Sequence, residues 1–267
     1  MKSPFQEFAA CFAEHGGTDY QYLALNFWRF RSTKERLEST HRKDGQRLLD
    51  VGAHWLHQSL LYARDGYRVT ASDFPITFRD PRVQSLARAY GIELAEYTDL
   101  ENLTSLLSVP DSSFDIILFT EIIEHITFNP IRLWTELYRL LREGGTIVVT
   151  TPNYYYIHGR FWNFGRAVGG MGGGIPVNEV VLRHTYGHHW KEYSLPELRQ
   201  YFQMLSPDFV FTKGLYVDDN FDAEGQRHRT GRWTWLADFF PALHPNLHVE
   251  INLPRKEKGI VVSPSWA

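Results

Sequence analysis

The chain has a single cysteine, Cys11, among its 267 residues. One thiol excludes an internal disulfide framework and any cysteine-based zinc cage, and it fits a reducing compartment. An excess of charge of either sign is also missing: 28 Lys and Arg stand against 31 Asp and Glu, a formal −3. Without a basic surplus there is no electrostatic footprint for wrapping nucleic acid or lying on an anionic membrane. No apolar run approaches the roughly 18 residues of a spanning helix. The first residues, MKSPFQEFAACFAEHGG, carry acids and no apolar core, so they do not read as a signal peptide. These absences together lead us to expect a soluble, cytoplasmic chain. Aromatic residues, by contrast, are plentiful and uneven. Of 18 Phe, 14 Tyr and 8 Trp, only 12 fall within residues 46–152, and the other 160 positions hold 28.

The aromatic-poor stretch alternates between two periodicities. QRLLDVG (46–52), YRVTASD (67–73), IELAEYTD (92–99), FDIILFTE (114–121) and TIVVTTP (146–152) read as strands. HQSLLYARDGY (57–67), RVQSLARAYG (82–91) and PIRLWTELYRLLREGG (130–145) have helical spacing and glycine stops. Strands separated by helices, several of them unbroken apolar runs, predict an α/β fold with a mostly parallel sheet covered by helices on both faces. Ligands of such sheets sit beyond the C-terminal strand ends, near the switch in strand order. That rule points to Asp50–Trp55, Asp73–Phe74, Asp99–Leu100 and Thr120–His125.

After Pro152 the pattern breaks. Residues 153–193 contain YYYIHGRFWNFGRAVGGMGGG and RHTYGHHWKEY, an irregular stretch of the length expected for a lid, with residues 169–174 as its hinge. Ser194 and Glu197 form a capping box before the helix 194–205, and FVFTKGLYV (209–217) and LHVEINL (247–253) read as two late strands. Residues 1–45 are expected to be a helical cap on a domain spanning 46–267.

The order of these pieces resembles that of the class I S-adenosylmethionine-dependent methyltransferases, from Leu48 to about Tyr201. LLDVG resembles the first cofactor motif, Ser72-Asp73 the acid ending strand two, and YTDL the adenine-side acid. SFDIILFTEIIEHI resembles strand four and its loop, and LREGGTIVVTTPN the helix, Gly-Gly and fifth strand. The resemblance implies a Rossmann-like seven-stranded sheet and S-adenosyl-L-methionine as cofactor, held by Asp50, Gly52, Ala53, Asp73, Phe74, Asp99, Leu100 and Thr120. Asp73 would accept from the ribose hydroxyls, or else cap a helix. Phe74 would lie against adenine or in the core. Asp99 would accept from the adenine amino group or cap a helix beginning at Leu100. Asp50 would orient the loop or reach the methionyl amine through water. Arg29 or Arg31 would meet the methionyl carboxylate or make a surface ion pair. One departure stands out: the family's Gly-x-Gly-x-Gly is here Gly52-Ala53-His54-Trp55-Leu56. Side chains at His54 and Leu56 should crowd a tight turn unless the loop takes another course.

Methyl transfer to a hydroxyl needs a nucleophile near the methyl and a destination for its proton. Glu121, Glu124 and His125 are spaced i, i+3 and i+4, on one face if helical, and His125 suits a general base. Two carboxylates and an imidazole also suit Mg²⁺ or Mn²⁺. With His189 of HWKEYSLPEL, the set resembles the metal-binding quartet of small-RNA 2′-O-methyltransferases of the HEN family. The plain alternative is that Glu124 and His125 cap or solvate a helix start. Tyr154, Tyr155, Tyr156, Phe161, Trp162 and Phe164 stand where an acceptor is expected, and Tyr20, Tyr22, Phe27 and Trp28 where a cap would cover it. The first expectation is an O-methyltransferase of a small molecule or saccharide, catalytic residues His125, Glu121 and Glu124, with a divalent metal on Glu121, Glu124, His125 and His189. The second is an RNA 2′-O-methyltransferase, against which the acidic balance argues. A third is a degenerate, non-catalytic binding subunit, prompted by the lost glycines.

Overall fold

The apolar runs over 47–51, 68–73, 114–120 and 146–152 become buried strands because β-branched and aliphatic side chains alternate between two covered faces, whereas the run over 93–96 forms a part-exposed edge. In the computed structural model, which describes residues 2–41, 45–156, 175, 177–182, 184–227 and 234–264, seven strands form one sheet. They are β1 Arg47–Val51, β2 Arg68–Asp73, β3 Glu93–Glu96, β4 Phe114–Thr120, β5 Leu141–Pro152, β6 Val210–Val217 and β7 Asn246–Leu253. Their order is β3-β2-β1-β4-β5-β7-β6. Strands β1 to β5 pair in parallel, while β7 lies antiparallel between β5 and β6. The sheet is therefore mixed, with a parallel majority. The order reverses between β1 and β4, so the crevice for a ligand opens beyond Val51 and Thr120.

Helices cover both faces. On one, α1 (Pro4–Ala13), α2 (Tyr20–His41) and α3 (His57–Ala63) pack on Leu48, Val69, Ile116, Leu118 and Val148. On the other, α6 (Ile131–Leu140) and α8 (Leu195–Leu205) pack on Leu49, Ile117, Phe119, Val149 and Ile251. Short α4 (Pro75–Phe78) and α5 (Pro81–Tyr90) link β2 to β3, and α7 spans Val177–Leu182. Capping boxes at Ser3–Gln6 and Ser194–Glu197 start α1 and α8 as local sequence dictates. The far half of α2 is clamped by polar groups. Arg36 holds Asp219 at 2.7 Å, and Lys213 reaches both the Arg36 carbonyl and the buried Glu250 at 3.0 Å.

Three expectations about elements change. The helix expected over 130–145 ends at Leu140, and Leu141 already pairs with Phe114 in a long β5; a register shift accommodates Gly144, whose φ is +75°. No helix begins at Leu100. The Asp99 carboxylate instead accepts the Glu101 amide at 2.9 Å and the Asn102 side chain at 2.7 Å, closing a turn before a single 3-10 turn at Thr104–Leu106. Glu121, Glu124 and His125 do not share a helical face, because Ile123–His125 is one 3-10 turn entered through a left-handed Glu121 (φ +56°). Phe161, Trp162, Phe164 and the glycines of 169–174 lie outside the described residues.

Candidate active site

Two strand ends build the crevice. After β1, Gly52 adopts φ +75°, and a β-carbon there would fall 2.2 Å from Ile122 Cδ1, so any side chain would strain the backbone and displace Ile122. His54 and Leu56 carry side chains yet also take positive φ, +47° and +63°. The loop thus keeps a glycine-like course, at roughly 1–2 kcal/mol for each of the two residues. Packing offsets that cost. Leu56 is fully buried, and the His54 ring meets Tyr22 edge-on at 5.0 Å, so this side chain docks on α2 instead of crowding the turn. His57 is likewise enclosed by Thr18, Phe12 and Tyr22, and burial lowers its pKa to about 3.

Asp73 ends β2 with both oxygens engaged by backbone: the His54 amide donates to one and the Phe74 amide to the other, each at 2.5 Å. Each oxygen retains a second lone pair. Burial raises the pKa of Asp73, and it raises that of Asp50 to about 7 although Ser59 donates to Asp50 at 2.6 Å. Ala53 shares the Ser72 carbonyl with Gly52, through N–H bonds of 3.2 and 2.8 Å. Thr120 donates to Gln58 Oε1 at 3.0 Å, which leaves the buried Gln58 Nε2 without a partner. Tyr22, Arg29, Asp50, Gly52, His54 and Thr120 line a narrow cleft. Phe74 leans on Tyr97 (4.8 Å) and Tyr186 (5.2 Å), while Leu100 is buried in the core.

Beyond β4 the acids diverge. Glu121 accepts from the Thr150 hydroxyl at 2.9 Å and pairs with Arg29 of α2 at 2.8 Å. Glu124 is fully buried, accepts from Thr151 at 2.9 Å, and has a pKa raised well above the carboxylate range by burial and then by the Glu121 charge. The His125 Nδ1–H donates to the His188 carbonyl at 2.8 Å, which sets the ring so that Nε2 stands 3.9 Å from Glu124 Oε1. The His189 ring lies perpendicular to it at 4.7 Å. Ligand atoms of Glu124, His125 and His189 fall within 4.8 Å of one another; Glu121 is not in that group.

Of the two arginines weighed from sequence, Arg31 pairs with Glu35 on the exposed side of α2, whereas Arg29 turns inward onto Glu121. Tyr154 and Tyr155 stack edge-on at 5.3 Å beyond β5, Tyr155 half exposed. Sequence reasoning missed Gln58, Thr150, Thr151 and Tyr186. The two threonines end an obvious strand, but nothing local tells which hydroxyl faces an acid across the sheet.

The family model described as "Methyltransferase domain" matches residues 22–248, from the start of α2 into β7. The chain belongs to the class I S-adenosylmethionine-dependent methyltransferases. A curated relative, a probable S-adenosylmethionine-dependent methyltransferase of Mycolicibacterium smegmatis, is 29% identical over 134 residues, 48% of this chain and 46% of that protein. Phosphoethanolamine N-methyltransferase 1 of Arabidopsis thaliana is 28% identical over 123 residues, 45% of this chain and 23% of its own length. The match thus spans less than half the length of each of these relatives. A solved SAM-dependent methyltransferase of Methanosarcina mazei superposes with a TM-score of 0.56 at 16% identity, covering 82% of this chain and 98% of that one. At such identity the likeness speaks for the fold. Among the described residues of the chain, no helix is long and apolar enough to cross a membrane.

Proposed function

We propose that this chain transfers a methyl group from S-adenosylmethionine to a hydroxyl of a small molecule or saccharide. The observation that carries the reading is the setting of His125 beyond β4, held by the His188 carbonyl with Nε2 turned toward a buried carboxyl. A ring so fixed can take a hydroxyl proton at Nε2 as the oxygen attacks. Burial raises the pKa of the Glu124 carboxyl beside that base.

The residues fit the cofactor. Gly52 lets the loop turn with φ +75° at the end of β1, and Gln58 Nε2 and His54 Nδ1 are buried polar atoms without hydrogen-bond partners beside the cleft. When bound, the cofactor supplies an electrophilic methyl on a sulfonium. Asp73 is assigned to the ribose hydroxyls through its remaining lone pairs, and Phe74, Asp99 and Leu100 to adenine. Asp50 steadies the loop through Ser59, and Arg29 is within the cleft to meet the methionyl carboxylate.

A divalent metal, if used, would be held by Glu124, His125 and His189. Two imidazoles and one carboxylate suit Mn²⁺ better than Mg²⁺, which prefers oxygen ligands. The metal would polarise an acceptor oxygen. Calorimetry with S-adenosylmethionine, followed by turnover on panels of hydroxyl, amine and RNA acceptors, tests the proposal. Hydroxyl methylation lost in His125→Ala supports it. Methylation confined to amines, or to RNA, would overturn the acceptor class, and no cofactor binding with or without Mn²⁺ would favour a non-catalytic subunit.

A further inference from the structure

The segment 184–191 joins both ends of the crevice. Its single 3-10 turn, Thr185–Gly187, brings Tyr186 over the ends of β2 and β3. The Tyr186 ring lies 5.2 Å from the Phe74 ring, tilted by 46°. Its hydroxyl faces Asp99 Oδ1 at 3.4 Å, and the Leu100 amide points to the same hydroxyl. A flat ring on Phe74, with a polar tip that meets one carboxylate acceptor and one backbone donor, uses the three groups assigned above to adenine. One set of partners does not serve two rings at once.

The same segment is fastened at its other end to the catalytic cluster. Two residues past Tyr186, the His188 carbonyl accepts the His125 Nδ1–H. Next come His189, in the metal-ligand trio, and Trp190, whose amide donates to the Glu124 carbonyl at 2.7 Å. Only Gly187, itself tied to the His184 carbonyl at 2.7 Å, separates the ring from this anchored stretch. A shift of Tyr186 has little slack chain to absorb it.

We infer that Tyr186 occupies the adenine edge as a stand-in, is displaced when the cofactor binds, and so couples cofactor binding to the placement of His188 and His189 around His125. The inference rests on the adenine assignment of Phe74, Asp99 and Leu100. It makes Tyr186 a residue that sets cofactor affinity by competition.

Calorimetric titration of the full chain with S-adenosylhomocysteine tests it. Tyr186→Phe removes the hydroxyl contacts and keeps the ring, so it should bind about fivefold more tightly, the worth of one ordinary hydrogen bond. Tyr186→Ala should bind at least as tightly. Unchanged or weaker binding by both variants overturns the competition. Phe74→Ala separates the two layers of the argument. If it binds as tightly as the parent, the adenine assignment itself falls. If it binds more weakly while Tyr186→Phe also weakens, only the stand-in role falls. Amide exchange followed by mass spectrometry reads the coupling. In the parent chain, a peptide covering 184–190 should exchange faster with S-adenosylhomocysteine bound, and unchanged or slower exchange overturns the displacement.

Discussion

Replacing Arg29 by methionine probes how α2 is tied to the crevice. The Arg29 and Glu121 side chains are each only 16% exposed and meet at 2.8 Å. Exposed pairs contribute about 0–1 kcal/mol, whereas removing one member of a buried pair costs about 3–5 kcal/mol, since the other charge is left without compensation. Thr150 still donates to Glu121 after the change, so the lower end, about 3 kcal/mol, is expected. For a chain of this size that corresponds to a fall in melting temperature of roughly 6–12 °C. Denaturant unfolding of Arg29→Met, Glu121→Gln and the double variant gives the coupling directly. The double variant should recover at least about 1.5 kcal/mol relative to the sum of the singles. A loss below about 0.5 kcal/mol for Arg29→Met, with no coupling, would refute the buried-pair reasoning and make Arg29 a surface residue in energetic terms.

Gly52→Ala should destabilise the chain by about 1–2 kcal/mol from the left-handed backbone alone, and Ile122 must move as well; Ile122→Ala in the same chain should recover only the side-chain part, as chemical denaturation would report. His54→Gly relieves strain and loses an edge contact with Tyr22, so its stability should stay within about 1 kcal/mol of the parent, while Leu56→Gly empties a fully buried site and should cost clearly more. Two buried groups predict opposite pH dependences. Asp50, raised from 3.8 to about 7, binds its proton more tightly in the folded state, so its contribution is full below pH 3.8 and drains as pH rises to about 7; Asp50→Asn should flatten that limb. His57, lowered from 6.5 to about 3, contributes fully above pH 6.5 and loses that contribution as pH falls toward 3; His57→Gln should flatten the acid limb of a stability–pH curve.

Much of the scaffold was legible because its signals are local. The strand ends at Asp50, Asp73 and Thr120, the capping box at Ser194 and the helical spacing around Leu133 and Leu137 each depend on residues within a turn or two of one another. Where a local signal met a longer-range demand, the latter won. Leu141 is drawn from the helix into β5 by pairing with Phe114, and Asp99 spends its carboxylate on a turn.

By itself the sequence determined the order of strands and helices, the crevice at the β1 and β4 ends, and the chemical inventory of acids and imidazoles around it. The tertiary structure alone decided how that inventory is shared out. Glu121 and Glu124 are three residues apart and alike in chemistry, yet one turns out to Arg29 on α2 and the other inward to Thr151 on β5. His54 stands where a glycine is usual because Tyr22, 32 positions away, gives its ring a place to pack. Such choices depend on burial and on partners brought together through space, and a side chain's neighbours in the chain carry no record of either.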